Sequence, residues 1–151
     1  MKTFNVKEII EYAIKIEKES FEFYNRAYEQ VSDPDVKDLT VQLAGEEVDH
    51  QNRLRDLINK EKVDPELLLK EMQIDTEIMD RIVETSVIPI NASPLNVLEI
   101  ALERENNTEQ TYAMLMTLSQ ITDDIVEVFE DLRKQEQGHA NKIKARMKKI
   151  T

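Results

Sequence analysis

Four long stretches of the chain carry apolar residues at helical spacing, and each stripe has a glutamate at its middle. With roughly 100° between successive helical residues, Ile10, Ala13, Phe21, Tyr24 and Tyr28 fall within about 40° of Glu17. The same projection sets Glu47 among Val36, Thr40, Leu43, Leu54 and Ile58, whereas its neighbour Glu46 projects off the stripe. It sets Glu105 among Leu98, Ala101, Tyr112 and Met116, and Glu136 among Ile125, Phe129, Leu132, Ile143 and Met147. The pattern predicts four amphipathic helices, each burying one carboxylate.

Capping signals bound these helices. Asn5 followed by Glu8 reads as a capping box and opens a helix over about 6–31. Asp33-Pro34 caps and starts the second, about 34–59, and Ser93-Pro94 repeats the device for the third, about 94–120. Thr122-Asp123 opens the fourth, about 123–149. Residues 60–93 lose the periodicity and contain Pro65 and Pro89. They read as a long connection with a short helix from Asp75 to Ser86. The links after helices one and three are short, so each pair forms an antiparallel hairpin. Two hairpins joined by one long crossover make an all-α four-helix bundle, here expected as a single domain over 1–151.

The hairpins repeat each other. Laying residues 9–58 over 97–147 matches Ala13 with Ala101, Glu17 with Glu105 and Tyr24 with Tyr112. After one extra residue in the second link it matches Val36 with Ile125, Leu43 with Leu132, Glu47 with Glu136, His50 with His139 and Leu54 with Ile143. A pseudo-twofold would bring the equivalent residues face to face in the core.

Composition narrows the options. Two glycines and four prolines leave few helix breakers. A net charge of −11 opposes nucleic acid as a partner, and most acidic residues read as solvated surface. No cysteine is present, which excludes a disulfide framework, a thiolate metal site and a cysteine nucleophile. Met1 to Glu11 lacks the apolar core of a signal peptide, and no apolar run nears the ~20 residues that span a bilayer. A cytoplasmic protein with no membrane partner is expected. The six methionines, Met114, Met116 and Met147 among them, read as core filling. The basic run from Lys142 to Lys149 suits a helix C-terminus.

The chemistry lies in the polar residues of the apolar stripes. Four buried carboxylates each lose hydration and repel one another, a cost that two divalent cations would balance in charge. The only two histidines, His50 and His139, each follow a mid-stripe glutamate by three residues, which puts both side chains on one helix face. Two Glu-x-x-His motifs and two lone glutamates suit a pair of metals about 3.5–4 Å apart. Nitrogen-plus-carboxylate ligation fits iron or manganese, with zinc able to substitute. Tyr24 and Tyr112 each lie seven residues after a lone glutamate. They read equally as hydrogen-bond donors to a ligand carboxylate or as core tyrosines. The competing reading is a metal-free structural bundle with hydrogen-bonded core histidines.

This constellation resembles the ferritin-like di-iron carboxylate proteins. Within that group, Glu17-Lys18-Glu19-Ser20-Phe21-Glu22-Phe23-Tyr24 and Leu43-Ala44-Gly45-Glu46-Glu47-Val48-Asp49-His50 are most similar to rubrerythrins. The similarity spans roughly residues 6–60 and 93–149. It implies a ferritin-like bundle with two iron ions. Glu17 and Glu105 would be terminal ligands, Glu47 and Glu136 bridging ones, and His50 and His139 would each bind one metal, with no catalytic residue beyond these ligands. It further implies an oxidoreductase reducing peroxide or dioxygen, and a homodimer in which the long connection could exchange. Two departures stand out. Rubrerythrins append a cysteine-ligated iron domain, so this chain would draw on an external electron donor such as a rubredoxin-like protein. They also carry an extra glutamate one turn after the third-helix ligand. Here that position is Thr108, with Glu109 one residue further on as a candidate additional ligand. A ferroxidase or iron-binding protein without a dedicated substrate is the alternative function.

Overall fold

The computed structural model describes residues 1–60, 62–84 and 87–150, except the side chains of Ile78 and Met79. In chain order the elements are β1 (Lys2–Asn5), α1 (Val6–Gln30), α2 (Pro34–Asn59), α3 (Pro65–Leu68), β2 (Glu71–Ile74), α4 (Glu77–Glu84), α5 (Pro94–Leu115) and α6 (Asp123–Ile150).

The long helices start where polar side chains satisfy their first backbone N–H groups. Asn5 Oδ1 accepts from Glu8 N at 2.8 Å while Glu8 Oε1 accepts from Asn5 N at 3.0 Å. Asp33 Oδ1 accepts from Asp35 N and Val36 N at 2.9 and 3.0 Å, with Pro34 in the first turn. Ser93 Oγ accepts from Asn96 N at 3.1 Å ahead of α5. Helix α1 packs along α2 and α5 along α6, giving the two hairpins of a four-helix bundle.

Burial of the stripes divides the core into two apolar blocks. One joins Ile9, Ala13, Leu54, Leu115, Ile125 and Phe129. The other joins Phe23, Ala27, Val36, Leu43, Leu98 and Ile143. The layer between them holds the glutamates and histidines. Tyr28 leaves the stripe: it is 42% exposed near the end of α1.

Two features depart from the sequence reading. First, α5 ends at Leu115 rather than near Gln120. Beyond it, Thr117 N and Leu118 N bond the carbonyls three residues back, and Thr117 Oγ1 takes the Met114 carbonyl at 2.6 Å. Local side-chain bonding and tight turns replace the last helical turn there. Secondly, the crossover contains more than one short helix. Strand β2 pairs antiparallel with β1, Phe4 opposite Met72 and Lys2 opposite Ile74. Met72 and Ile74 point inward and cap one apolar block. The helix expected over Asp75–Ser86 is observed as α4, with Asp75 accepting from Glu77 N at 3.0 Å. Its expected end at Ser86 lies outside the described residues.

A buried arginine fastens this crossover. Arg104 on α5 is fully enclosed and donates to Ser20 Oγ at 3.0 Å, to the Ile16 carbonyl at 3.2 Å and to the Ile82 carbonyl at 3.2 Å. One guanidinium thus ties α1, α4 and α5 together, as its planar fork of donors permits. Nothing in the stripes singled it out, because it flanks the ligand face.

Candidate metal centre

The i, i+3 spacing in α2 and α6 stacks each histidine one turn from its glutamate, and packing of the hairpins brings the two motifs together. Glu17, Glu47, His50, Glu105, Glu136 and His139 are all buried. Their atoms form two groups that could each hold a metal ion: Glu17, Glu47, His50 and Glu136, and Glu47, Glu105, Glu136 and His139. Glu47 and Glu136 belong to both. In each group the ligand atoms lie within 4.8 Å of one another.

Both histidines turn Nδ1 inward. His50 Nδ1 lies 3.0 Å from Glu136, 3.2 Å from Glu17 and 3.7 Å from Glu47. His139 Nδ1 lies 3.1 Å from Glu47, 3.5 Å from Glu105 and 3.6 Å from Glu136. The rings are parallel, 6° apart in plane, with centroids 5.5 Å from each other. The pseudo-twofold seen in the sequence therefore runs through this layer.

The tyrosines bond crosswise. Tyr112 on α5 donates to Glu17 Oε1 on α1 at 2.6 Å, and Tyr24 on α1 donates to Glu105 Oε1 on α5. Because each tyrosine follows its own helix's glutamate by seven residues, this reciprocity requires α1 and α5 to run antiparallel. Of the two readings of these tyrosines, the hydrogen bond to a lone glutamate is the one seen.

Two residues not picked out from sequence complete the layer. The outer nitrogen of His50, Nε2, lies 2.7 Å from Gln135 Oε1, an oxygen that only accepts. The outer nitrogen of His139 lies 3.3 Å from Glu46 Oε2, with Lys142 Nζ 3.8 Å from that same oxygen. Glu46 is indeed off the apolar stripe, yet its carboxylate reaches the histidine of the facing helix. The one available signal was its repeat partner Gln135: both polar residues immediately precede a shared glutamate.

Glu109 is not brought into the cluster. Its carboxylate accepts from Arg133 at 2.8 Å and from Gln137 at 3.3 Å, and it belongs to neither group. One residue beyond the i+3 position turns it about 100° further round α5, towards α6. Thr108, at i+3 itself, spends its hydroxyl on the Arg104 carbonyl at 2.9 Å. A depression of about 330 Å³ lies on this side, lined by Asn106, Glu109, Gln137, Asn141 and Lys144 and reaching Glu136.

Without a metal, protons must balance the charge. Burial, and then the charge of Glu17, push Glu47 up to about 8. Glu105 is also driven up, by burial and then by Glu136. Burial would raise Glu17 too, but the close approach of the Glu47 carboxyl, His50 and the Tyr112 hydroxyl outweighs it and brings it down to about 2. For both histidines burial favours the neutral ring, and the surrounding carboxylates overcome it and hold the protonated form. Protons are imperfect substitutes. Both oxygens of Glu47 and of Glu136, Glu105 Oε2 and His139 Nδ1 are buried without a hydrogen-bond partner among the described residues. Each such group costs about 1–3 kcal/mol or more when charged. Cations fit this set: oxygen and imidazole donors without thiolate, preformed and dry, suit iron, manganese or zinc.

Fold and site together describe a helical bundle with a buried carboxylate–histidine cluster that could hold two metals. The sequence family described as rubrerythrin matches residues 8–147. The chain belongs to the rubrerythrin family, and that membership supports a di-iron protein. A crystal structure from Thermotoga maritima, provisionally described as a ferritin-like di-iron-carboxylate protein, superposes with a TM-score of 0.73 at 20% sequence identity. The alignment covers 100% of this chain and 99% of that one, and it supports the fold. No curated protein sequence matches the chain. No helix among the described residues is long and apolar enough to cross a membrane.

Proposed function

We propose that the chain is a di-iron oxidoreductase that reduces peroxide or dioxygen with electrons from an external donor. The observation that carries this reading is the pair of buried groups sharing Glu47 and Glu136, whose oxygens have no hydrogen-bond partner among the described residues. Glu17 and His50 would complete one metal position, Glu105 and His139 the other. When bound, two irons would supply the two electrons that, with two protons, turn hydrogen peroxide into two waters.

The protein's own part is geometric and electrostatic. Tyr112 and Tyr24 fix the lone glutamates, and Gln135 and Glu46 face the outer nitrogens of the histidines. The apolar blocks above and below the layer exclude water. The depression that reaches Glu136 has a mostly polar lining, which favours a hydrophilic reactant. With no cysteine in the sequence, electrons would come from a partner, such as a rubredoxin-like protein. Val83, Val87 and Ile90 are exposed on the crossover, which favours a homodimer seated there.

A test is anaerobic loading with ferrous iron, then stopped-flow absorbance on mixing with peroxide. Oxidation well above the rate of free ferrous iron is expected, and an equal rate would refute the proposal. A second reading, iron oxidation without a dedicated substrate, is favoured by the same lack of cysteine. Repeated turnover of peroxide with a supplied reductant, without iron uptake, separates the two.

A further inference from the structure

Residues 46 and 135 occupy equivalent places in the repeat. Each immediately precedes a glutamate common to both groups, and each meets the outer nitrogen of the histidine on the facing helix. They are chemically different. His50 Nε2 faces the neutral amide oxygen of Gln135 at 2.7 Å. His139 Nε2 faces a carboxylate oxygen of Glu46 at 3.3 Å, within ion-pair distance, and both these atoms are buried without a hydrogen-bond partner among the described residues.

The remaining ligands are matched across the pseudo-twofold. Each side has one histidine, one lone glutamate bonded to a tyrosine of the other hairpin, and the two shared glutamates. Binding a cation through Nδ1 draws positive charge onto the imidazole ring. A carboxylate at the outer N–H stabilises that charge more than an amide does, and so makes the ring a stronger ligand. Lys142 offsets only part of the difference. Its side chain is 44% exposed and that of Glu46 35%, and its ammonium lies 3.8 Å from the carboxylate, so water screens this pair, while the Glu46 oxygen facing the ring is itself buried.

We propose, resting on the reading of this layer as a metal centre, that Glu46 makes the two metal positions unequal. The position at His139 fills first and holds its ion more tightly than the one at His50. Outer-sphere partners of this kind change metal affinity by roughly 10–100-fold, so a preference of about tenfold is expected at one equivalent of metal.

The test uses the full chain, stripped of metal by chelation and given one equivalent of Co(II), with site occupancies read from anomalous scattering in crystals. In the unaltered protein the ion should sit predominantly at His139. In Glu46→Gln, where both histidines face an amide, it should divide about evenly. In the exchanged variant Glu46→Gln with Gln135→Glu it should move to His50. An even division in the unaltered protein, or persistence at His139 in the exchanged variant, would overturn the proposal. A general loss of structure cannot imitate a reversal of preference, and circular dichroism checks that each variant is folded. No ion at either position in any variant would instead overturn the metal-centre reading, and this inference with it.

Discussion

Replacing Tyr112 with phenylalanine removes one oxygen and leaves the ring. The ring is buried against Phe129, with centroids 5.5 Å apart, so packing is retained. What is lost is the hydrogen bond to Glu17 Oε1 at 2.6 Å. Burial, and then the charge of Glu17, hold the Tyr112 hydroxyl well above its usual pKa, so it stays a neutral donor at any working pH. A bond to a charged acceptor contributes about 1.5–3 kcal/mol. At roughly 2–4 °C per kcal/mol for a chain of this size, Tm of the metal-free protein should fall by about 3–12 °C. A freed Glu17 should also weaken metal binding by about 10–100-fold at the position it shares with His50, leaving the other position near its original affinity. Calorimetric unfolding and metal titration read both effects, with Tyr28→Phe on the exposed surface as control. An unchanged Tm together with two unchanged affinities would refute the claim that this hydroxyl orients Glu17.

Four further outcomes are expected. The metal-free protein should lose stability as pH rises from about 4.5 towards 8. Glu47, held at about 8 against its usual 4.5, keeps a proton that the unfolded chain has released, so its contribution is complete below the unfolded value and lost through the folded one. The raised histidines act in the same sense above 6.5, whereas the lowered Glu17 contributes above 4.5 and is lost only as pH falls towards 2. Urea midpoints that rise over that range would contradict the balance. Arg104→Met should cost roughly 3 kcal/mol or more by leaving Ser20 and the Ile16 and Ile82 carbonyls buried without this donor; an unchanged urea midpoint would count against it. Glu109→Gln should leave metal affinity within about twofold, since Arg133 and Gln137 engage that carboxylate, and a tenfold loss in titration would place Glu109 at the metal after all. Gly138→Ala should stabilise α6 by about 0.5–1 kcal/mol, because a Cβ there meets nothing within 4 Å; a lower Tm would oppose this.

The cluster could be read from sequence because its residues break a rule that the rest of the helix obeys. A charged residue centred on an apolar stripe needs a reason, and the repeat supplied the same exception four times. Glu46 and Gln135 were harder to find, since they act across the bundle on a histidine of another helix and no spacing within one helix records that. Arg104 was hidden likewise: a charged residue beside the stripe looks like surface until Ser20 and α4 enclose it. The strands β1 and β2 are four residues each, too short for alternation to stand out. The end of α5 turned on local competition by Thr117, which apolar periodicity does not register.

The crossed tyrosine–glutamate bonds also govern alignment. The two bonds sit about 10 Å apart along α1, seven residues at about 1.5 Å each, and act like two dowels through adjoining planks. Sliding α1 by one turn against α5 would strip both at once and strand two carboxylates in a dry interior. Reversing the direction of α5 would leave no arrangement that satisfies both. A bundle of leucines alone offers several near-equal ways to nest, but this one has a single register in which its acids are answered. The residues reserved for chemistry therefore also select which of the possible bundles forms.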